Sequence, residues 1–489
     1  MEYVIGIDIG STSTKGILAD IQNNVICEAN RFHRLYVNRD GLSEADAWDY
    51  FKEVIEVIHE LIQRGNVSPN KILSISLSGF ESVTFIGKND VSLKTITYLD
   101  SRATKTAEEF YKKIDPKDVF EHTGNRASSI FEGYKTIWAF ENTKLKEKTV
   151  KIADVAKFSV LQLTGKLVMD KSTAMLFAPF YNKNDDQWDT DLTVLSKVPV
   201  ELLPEIKESF DVAGPVTKDA AEKYGLSERT NVTVGAQDAY SSLLGDGVIS
   251  SGSSSFIYGT SGVFDLVHKE KRFSDLFANT RHVVPGLYVA EAAMYNAGSL
   301  LDWFSRISGI GVRNLDVKVE KRRRPGEIIA LPFFTGERAP IWNNDLKGTF
   351  TNVSFSNDLV DFYLSLMEGI GYWLRYSLEK ASEIGYSVME IVASGGGSKS
   401  TIWPQIVSDI IGRNQIIKVS KGAASGDIFI ALRSENIIKD FSEVSRVIDT
   451  RGIVKASRKI YENYSKKYRV FLDLLTQKLE GNIKYFRAI

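Results

Sequence analysis

The sequence predicts an α/β protein of two domains, and three observations support this prediction. The chain has 489 residues, which is more than one hydrophobic core usually holds. Strand and helix signals alternate through its first half. A hairpin pattern at the start recurs about halfway along, which indicates two halves of similar architecture. We place the domains at 1–246 and 247–489, because a Gly/Ser-rich stretch at 245–255 marks a boundary.

The first hairpin is predicted at residues 3–20. An apolar run at 4–9 meets a turn of small residues at 10–13, and a second apolar run at 15–19 returns. A third strand is predicted at 25–28. Further along, helical spacing of apolar residues predicts a helix over 46–62, and a strand follows at 72–77.

The second hairpin is predicted at residues 255–267, with its turn at 259–262. Later apolar patterns predict a helix at 359–378, a strand at 390–394 and a charged C-terminal helix at 456–479. A glycine run at 395–398 is predicted to close that strand and to open a helix.

Composition excludes several classes of protein. Lys and Arg number 61 against 62 Asp and Glu, so the chain lacks the basic field of a nucleic-acid binder. A content of 43% hydrophobic and 25% charged residues excludes a largely disordered chain. We expect no leader and no membrane span, because the first strand begins at once and no apolar run is long enough. One cysteine, Cys27, favours the cytoplasm, and the five histidines show no metal-binding spacing.

Asp8 stands at the end of the first strand, beside the turn of small residues. Such residues let a phosphate approach the backbone amides. A carboxylate there would hold hydrated Mg²⁺ rather than the phosphate itself. An ordinary hairpin turn capped by Ser or Thr is the alternative. The candidate phosphate-binding residues are Gly10, Ser11, Thr12 and Lys15.

The second turn and the glycine run invite related interpretations. Gly259, Thr260 and Ser261 form a turn that could face the first one and clasp a polyphosphate. The run Gly395, Gly396, Gly397 and Ser398 would let a nucleotide lie against the backbone. A tight strand-to-helix turn without a ligand is the alternative for this run.

Asp238 follows a predicted buried strand and begins a helix. A carboxylate there can accept the proton of a substrate hydroxyl as a new P–O bond forms. A helix N-cap is the other common use of Asp at such a position, and spacing alone leaves both open. Neither a Walker-type loop nor a Gly-x-Gly-x-x-Gly behind the first strand is present.

Together these motifs resemble the FGGY carbohydrate kinases of the actin/hexokinase/Hsp70 superfamily, over essentially the whole chain and in the family's order. Ile5 to Lys15 is similar to the first phosphate motif. The other matching segments are Asp100-Ser101-Arg102, Thr123-Gly124-Asn125, Leu163-Thr164-Gly165, Gly235-Ala236-Gln237-Asp238, Gly259-Thr260-Ser261-Gly262, Leu331 to Pro340, Gly395 to Ser400 and Gly422 to Gly426.

The resemblance implies two actin-like (ribonuclease H-like) domains, each a mixed sheet flanked by helices, around a nucleotide cleft. It implies an ATP- and Mg²⁺-dependent kinase of a small sugar, sugar acid or polyol. Asp8 would hold Mg²⁺ and Asp238 would be the catalytic base. The implied substrate-binding residues are Glu81, Asp100, Arg102, Gln237 and Asp238. The implied nucleotide-binding residues are Gly10, Ser11, Thr12, Lys15, Gly259, Thr260, Ser261, Gly298, Gly395, Gly396, Gly397 and Ser398.

The particular substrate stays open, with gluconate and xylulose as the main candidates. Xylulokinases and gluconokinases usually carry a Met-His pair after the strand that matches 72–77, whereas this chain has Ser78-Gly79-Phe80-Glu81-Ser82-Val83 there, with no histidine. If Glu81 lies unpaired in the substrate pocket, it would repel a carboxylate. The stretches Gly336 to Asn343 and Tyr295 to Ser299 look more like gluconokinases. Lys157 falls near a position where many relatives have an acid.

Two competing functions are a nucleotide switch of the actin or chaperone type without sugar phosphorylation, and a sugar-binding regulator without catalysis. Asp238 and Asp100-Ser101-Arg102 favour the kinase over the switch, and the matches at Asp8, Thr260 and Asp238 favour it over the regulator. The expected partners are a small-molecule substrate and, as one candidate assembly, a second copy in a homodimer.

Overall fold

The structure is a computed structural model and describes residues 1–38, 41–322, 324–419, 422–446 and 448–481. Within these residues, no helix combines the length and the apolar run that a membrane crossing requires.

The first half of the chain alternates strands and helices. Its strands are β1 (Tyr3–Ile9), β2 (Ser13–Asp20), β3 (Val25–Phe32), β4 (Glu44–Ala45), β5 (Ile72–Gly79), β6 (Ser82–Ile86), β7 (Ser92–Thr97), β8 (Lys151–Ala153), β9 (Val168–Asp170), β10 (Tyr181–Asn182), β11 (Gln187–Trp188), β12 (Glu205–Lys207), β13 (Val212–Pro215), β14 (Asn231–Thr233) and β15 (Ala236–Gln237). Its helices are α1 (Ala47–Gly65), α2 (Thr104–Phe110), α3 (Pro116–Thr123), α4 (Glu132–Asn142), α5 (Leu145–Lys148), α6 (Val155–Thr164), α7 (Lys171–Leu176), α8 (Thr190–Leu195), α9 (Lys218–Tyr224) and α10 (Asp238–Gly245).

The main sheet of this half has the order β13-β14-β5-β1-β2-β3. β1 pairs antiparallel with β2 and parallel with β5, so Asp8 lies opposite both Lys15 and Ser78. β1 is apolar and buried along almost its whole length, because helices cover both faces of the sheet. The predicted hairpin, third strand, helix and strand of this region are confirmed within a few residues.

The second half repeats this plan. Its strands are β16 (Ser253–Tyr258), β17 (Gly262–His268), β18 (Ala278–Arg281), β19 (Tyr288–Met294), β20 (Ile329–Leu331), β21 (Thr349–Thr351), β22 (Glu390–Ser394), β23 (Gln415–Lys418) and β24 (Thr450–Val454). Its helices are α11 (Gly298–Ser308), α12 (Val312–Glu320), α13 (Leu359–Glu383), α14 (Trp403–Ile411), α15 (Ala423–Ser434) and α16 (Arg458–Leu479).

The two main sheets share one strand order. The second has the order β18-β19-β17-β16-β22-β23-β24. In each half, three antiparallel strands lie side by side, and two further strands run parallel to the first strand of the hairpin. Across the sheet the order is β3-β2-β1-β5-β14 in the first half and β19-β17-β16-β22-β23 in the second half. This is the predicted fold class, with two mixed sheets flanked by helices.

The glycine run departs from its predicted local structure. Only a single 3₁₀ turn, Gly396–Lys399, follows β22, and α14 begins later, at Trp403. Gly395 has φ +80°, a left-handed backbone that favours glycine. The run therefore forms a tight loop between the strand and the helix rather than the first turn of the helix.

The halves interlock at one helix. α15 comes from the second half, but it packs on β1, β5 and α10 of the first half. Backbones meet closely there: a Cβ at Gly6 would lie 2.4 Å from the Ala424 carbonyl oxygen, and one at Gly426 would lie 1.8 Å from that of Ser241. The domain boundary at 246/247 stays a prediction about the sequence, because in space this helix belongs with the first sheet.

Candidate active site

The first phosphate turn connects β1 to β2. The Gly10 amide donates to the Ser13 carbonyl at 3.1 Å and closes the turn. Behind it, a His33 ring nitrogen contacts the Gly10 carbonyl oxygen at 2.9 Å. Thr12 and Lys15 are exposed. The turn is thus supported from within and presents its polar groups to solvent, as a phosphate site requires.

Asp8 and Asp238 lie near one another at the base of this turn. Burial raises the pKa of Asp8 to about 6, and the charge of Lys15 opposes this. Burial also raises the pKa of Asp238 to about 7, and the negative charge of Asp8 raises it further. Two carboxylates in one poorly solvated place resist joint ionisation. Residues 230 positions apart in the sequence therefore form one site.

Gln237 orients the carboxylate of Asp238. The Gln237 side-chain oxygen accepts the amides of Ala239 and Tyr240 and caps α10. Its Nε2 donates to Asp238 Oδ1 at 2.6 Å, and the Ala239 amide donates to the same oxygen at 2.7 Å. The N-cap is therefore Gln237, so the N-cap alternative for Asp238 is wrong. Asp238 Oδ2 accepts no hydrogen bond from any residue that the structure describes.

The second phosphate turn follows β16 and is braced by the start of α11. The Gly298 amide donates to the Gly259 carbonyl at 2.9 Å, and the amides of Ala297 and Ser299 donate to the Thr260 carbonyl. A Cβ at Gly298 would lie 2.6 Å from the Gly259 carbonyl oxygen. Only glycine allows this close approach, which explains why position 298, one of the predicted nucleotide-binding residues, is a glycine.

A cavity of about 870 Å³, a volume that suits a small ligand, joins this turn to the glycine run. Gly396 has no atom within 4 Å of an added Cβ, so it faces open space. Gly397 packs against the Trp403 ring, where a Cβ would lie 2.4 Å from a ring carbon. The predicted nucleotide residues that line the cavity are Gly259, Thr260, Gly298, Gly396 and Gly397.

Beside Asp238, a polar cluster gathers side chains from both halves. Burial raises the pKa of Tyr98, a hydrogen bond with Ser11 opposes this, and the charges of Asp238 and Glu81 raise it further. Tyr98 therefore links the phosphate turn, the base and Glu81. No sequence motif pointed to Tyr98, although it directly follows β7 and lies two residues before Asp100.

Asp100 and Arg102 are brought together, but they are occupied by protein partners. Arg102 donates to Asp100 through Nε at 2.7 Å and through Nη2 at 2.6 Å, and its Nη1 lies 2.7 Å from Glu44. The Ser43 amide also donates to Asp100. The Arg102 side chain is only 5% exposed. Their role in substrate binding stays a prediction, and their observed role is to brace the loop after β7.

Lys157 is a buried counter-ion behind the site. Its Nζ lies 2.9 Å from Asp170, and neither side chain is exposed. Its amide donates to Asp154 at 2.6 Å. Burial raises the pKa of Asp154 to about 6, and the charge of Lys157 opposes this. Lys157 thus offsets the negative charges of Asp170 and Asp154, which gives this residue a structural role that the sequence leaves open.

Among the described residues, no group of three or more His, Cys, Asp or Glu side chains could hold a metal ion. A magnesium ion needs fewer protein ligands than such a group, because it is usually bound by one or two carboxylates, several waters and the substrate phosphates. Asp8 offers such a ligand: it is 8% exposed, and no described residue donates a hydrogen bond to its carboxylate. The residues therefore fit a hydrated magnesium ion.

Two mixed sheets of the same strand order, each with a turn of small residues after its first strand, define an actin-like fold. Comparison with known proteins narrows this class. The N-terminal domain of the FGGY family of carbohydrate kinases matches residues 3–245, and the C-terminal domain of the same family matches residues 254–435. The chain belongs to the FGGY family of carbohydrate kinases. Enzymes of this family use ATP, and the switch without sugar phosphorylation is not supported.

Individual relatives share the full length of the chain. A xylulose kinase from Bacillus subtilis is 26% identical over 514 residues, with 100% of both chains covered. A gluconokinase from the same organism is 25% identical, with 96% of this chain and 94% of the relative covered. The solved structure of a ligand-bound xylulose kinase from Lactobacillus acidophilus has a TM-score of 0.91 over 99% of each chain, at 23% identity. At 23% identity, this structural similarity supports the fold alone.

Proposed function

We propose that the chain transfers the γ-phosphoryl group of magnesium-bound ATP to a hydroxyl of a small sugar, sugar acid or polyol. Xylulose and gluconate are the first candidates, because the relatives with those names cover nearly the whole chain. The observation that carries the proposal is the free Oδ2 of Asp238, held beside Asp8 and the first phosphate turn.

Asp238 is the proposed general base. Oδ1 is fixed by Gln237 and Ala239, so Oδ2 can accept the proton of the substrate hydroxyl. The hydroxyl oxygen then attacks the γ-phosphorus, and the bond from that phosphorus to the β,γ-bridging oxygen breaks, which yields ADP and a phosphate ester. The raised pKa of Asp238, about 7, suits proton acceptance near neutral pH.

The predicted nucleotide-binding residues bind and orient the nucleotide. The exposed turns at Thr12 and Thr260 present small polar groups to phosphates, and the cavity beside Gly396 and Gly397 is where the adenosine would lie. Asp8 would hold the magnesium ion, which would supply positive charge to the phosphates. Closure of the two halves would exclude water, which otherwise competes with the sugar as the acceptor.

A coupled assay of ADP formation tests this proposal. We would screen gluconate, xylulose, ribulose, glycerol and erythritol at fixed ATP and Mg²⁺ concentrations. We expect ADP formation that depends on one of these acceptors, with an equal amount of sugar phosphate detected by mass spectrometry. ATP hydrolysis that no acceptor changes would contradict the proposal and favour a nucleotide switch.

The cellular compartment and the oligomeric assembly also belong to the proposal. The cytoplasm is the expected compartment, because Cys27 is a single free thiol. A homodimer stays one candidate assembly.

A further inference from the structure

His33 lies directly behind the first phosphate turn and contacts two of its carbonyl groups. Its backbone amide donates to the Thr12 carbonyl at 3.1 Å, and its ring Nε2 lies 2.9 Å from the Gly10 carbonyl oxygen. Because the carbonyl and the amide of a trans peptide point in opposite directions, the Ser11 amide points away from His33. One residue therefore sets the orientation of peptide groups in the turn.

The other ring nitrogen of His33 faces a carboxylate. Nδ1 lies 2.9 Å from Oε2 of Glu53, on α1. The same oxygen accepts the Thr14 hydroxyl at 2.7 Å, so it acts as an acceptor towards both neighbours. The imidazole ring thus lies between two acceptors, a carbonyl oxygen and a carboxylate oxygen.

This pair of partners determines the protonation state of His33. A neutral imidazole has one N–H and one lone pair, whereas an imidazolium has two N–H groups. In either tautomer, a neutral ring would turn its lone pair towards an oxygen atom 2.9 Å away. The pKa agrees with a charged ring: burial lowers the pKa of His33, but the hydrogen bond and charge of Glu53 and the contact with the Gly10 carbonyl raise it overall above 6.5.

Other titratable groups around this ring do not compete with Glu53 for its charge. Tyr50 of α1 packs edge-on against the ring, with the centroids 5.0 Å apart, and burial raises the pKa of its hydroxyl, which stays neutral. Lys15 of β2 is exposed. Arg31, near the end of β3, is bound to two glutamates of α1, Glu56 and Glu60. Glu53 is therefore the counter-ion of His33.

We propose that His33 is a positioning residue of the kinase, held as an imidazolium that fixes the first phosphate turn and adds positive charge beside the phosphates of ATP. This inference deepens the proposed kinase function and rests on it. A charge-assisted hydrogen bond to the Gly10 carbonyl is stronger than a neutral one, and the polarised peptide group makes the Ser11 amide a better donor to a phosphate. Loss of the ring proton leaves Glu53 as an uncompensated negative charge, which weakens ATP binding.

Nitrogen-15 NMR of histidine-labelled protein tests the charge without ATP. We expect the His33 ring to lose its proton with a midpoint above the ordinary pKa of 6.5, and the missing signal in His33→Gln assigns it. In Glu53→Gln the new amide can donate to Nδ1, so a neutral ring satisfies both contacts, and the midpoint should fall by about one pH unit or more. A wild-type midpoint at or below 6.5 overturns the inference.

Calorimetric titration with a non-hydrolysable ATP analogue and saturating Mg²⁺ tests the role in binding. Because the pKa of His33 is raised, its charge is present at low pH and is lost as the pH rises. Between about pH 7 and about pH 9 we expect the wild type to lose affinity at least about fivefold, and Glu53→Gln less than about twofold. Both proteins retain Asp8 and Asp238, so the ionisation of these two carboxyls cancels in the comparison.

Kinetics distinguish positioning from a merely structural role. At about pH 7, His33→Gln should raise KM for ATP at least about fivefold and change kcat less than about twofold. The matched control is His59→Gln, on the helix that carries Glu53. One ring nitrogen of His59 lies 2.6 Å from the Tyr224 carbonyl oxygen, so a neutral ring suffices there, and KM for ATP should not change. An unchanged KM in His33→Gln overturns the inference.

The outcomes separate this inference from the kinase proposal. A raised midpoint combined with ATP affinity that does not vary with pH overturns the role of His33 in binding and leaves the kinase intact. A chain that binds no ATP analogue at any pH refutes the kinase proposal, even where the midpoint is raised. Should His33→Gln fail to fold, the pH dependence of ATP affinity in the wild type and in Glu53→Gln decides.

Discussion

The two carboxylate oxygens of Asp238 have different surroundings. Oδ1 accepts hydrogen bonds from Gln237 and the Ala239 amide, and Oδ2 is left without a partner among the described residues. Burial and the charge of Asp8 raise the pKa of this carboxyl to about 7. An oriented carboxylate of raised pKa is a suitable base for a hydroxyl proton.

Asp238→Asn should lower kcat by about 10²- to 10⁴-fold, the usual contribution of a general base. ATP binding should stay nearly unchanged, because the amide keeps the shape of the side chain. Steady-state kinetics and calorimetric titration with ATP check this. Asp219→Asn, an exposed position on α9, is the control. Near-normal turnover of Asp238→Asn would remove Asp238 from its role.

The raised pKa of Asp238 also predicts how the stability of the fold varies with pH. In the folded state Asp238 keeps its proton up to about pH 7, whereas its ordinary pKa is 3.8. The folded state therefore binds more protons than the unfolded state between these values, so this group destabilises the fold as pH rises through that window.

We expect the free energy of unfolding to fall between about pH 5 and about pH 8 by about 1–2 kcal/mol more in the wild type than in Asp238→Asn. Denaturant titration without nucleotide measures this difference. Equal pH dependence in the two proteins would show that the carboxyl is not perturbed.

Among the elements, the second phosphate turn depends on its contact with α11. Gly298→Ala would place a methyl group 2.6 Å from the Gly259 carbonyl oxygen, so the turn must shift. We expect KM for ATP to rise at least about tenfold, with a smaller effect on KM for the acceptor. Gly452→Ala is the control, because nothing lies within 4 Å of its added Cβ. Equal effects of the two variants would contradict this account of the turn.

Helix α15 ties together the elements that carry the two site carboxylates. Asp427 accepts from Ser78 at 2.6 Å and from Ser241 at 3.0 Å. Ser78 is paired with Asp8 in the sheet, and Ser241 lies one turn after Asp238 in α10. All three side chains are fully buried.

Asp427→Ala should therefore lower the free energy of unfolding by at least about 2 kcal/mol, because both serine hydroxyls lose a buried acceptor. Asp427→Asn keeps one acceptor oxygen and should retain most of the stability and most of kcat. Urea unfolding and steady-state kinetics test both variants. An alanine variant as stable as the asparagine variant would show that these hydrogen bonds contribute little.

Much of this arrangement was predictable from local sequence. Both hairpins follow from apolar runs around small-residue turns, and the recurrence of the pattern predicted two similar sheets. The packing of α15 on the first sheet was not predictable, because it joins segments that lie hundreds of residues apart in the sequence. The glycines that allow this packing show their role only once the two backbones are in contact. For the same reason the sequence does not reveal which charged residues of the second half lie near Glu81.

Across the complete chain, function depends on how two similar halves meet. The first half supplies Asp8, the first turn and Asp238, and the second half supplies the second turn and the glycine cavity. Neither half alone contains all of the predicted catalytic and nucleotide-binding residues. The order of the motifs in the sequence predicted this division, and the shared strand order explains it, because each sheet presents an equivalent turn at the same place.

The most direct test is a crystal structure of the complex with a non-hydrolysable ATP analogue, Mg²⁺ and the acceptor that the coupled assay identifies. We expect the phosphates between the turns at Thr12 and Thr260, the adenosine beside Gly396, and the acceptor hydroxyl within hydrogen-bond distance of Asp238 Oδ2. A nucleotide bound elsewhere, or an acceptor remote from Asp238, would contradict the account.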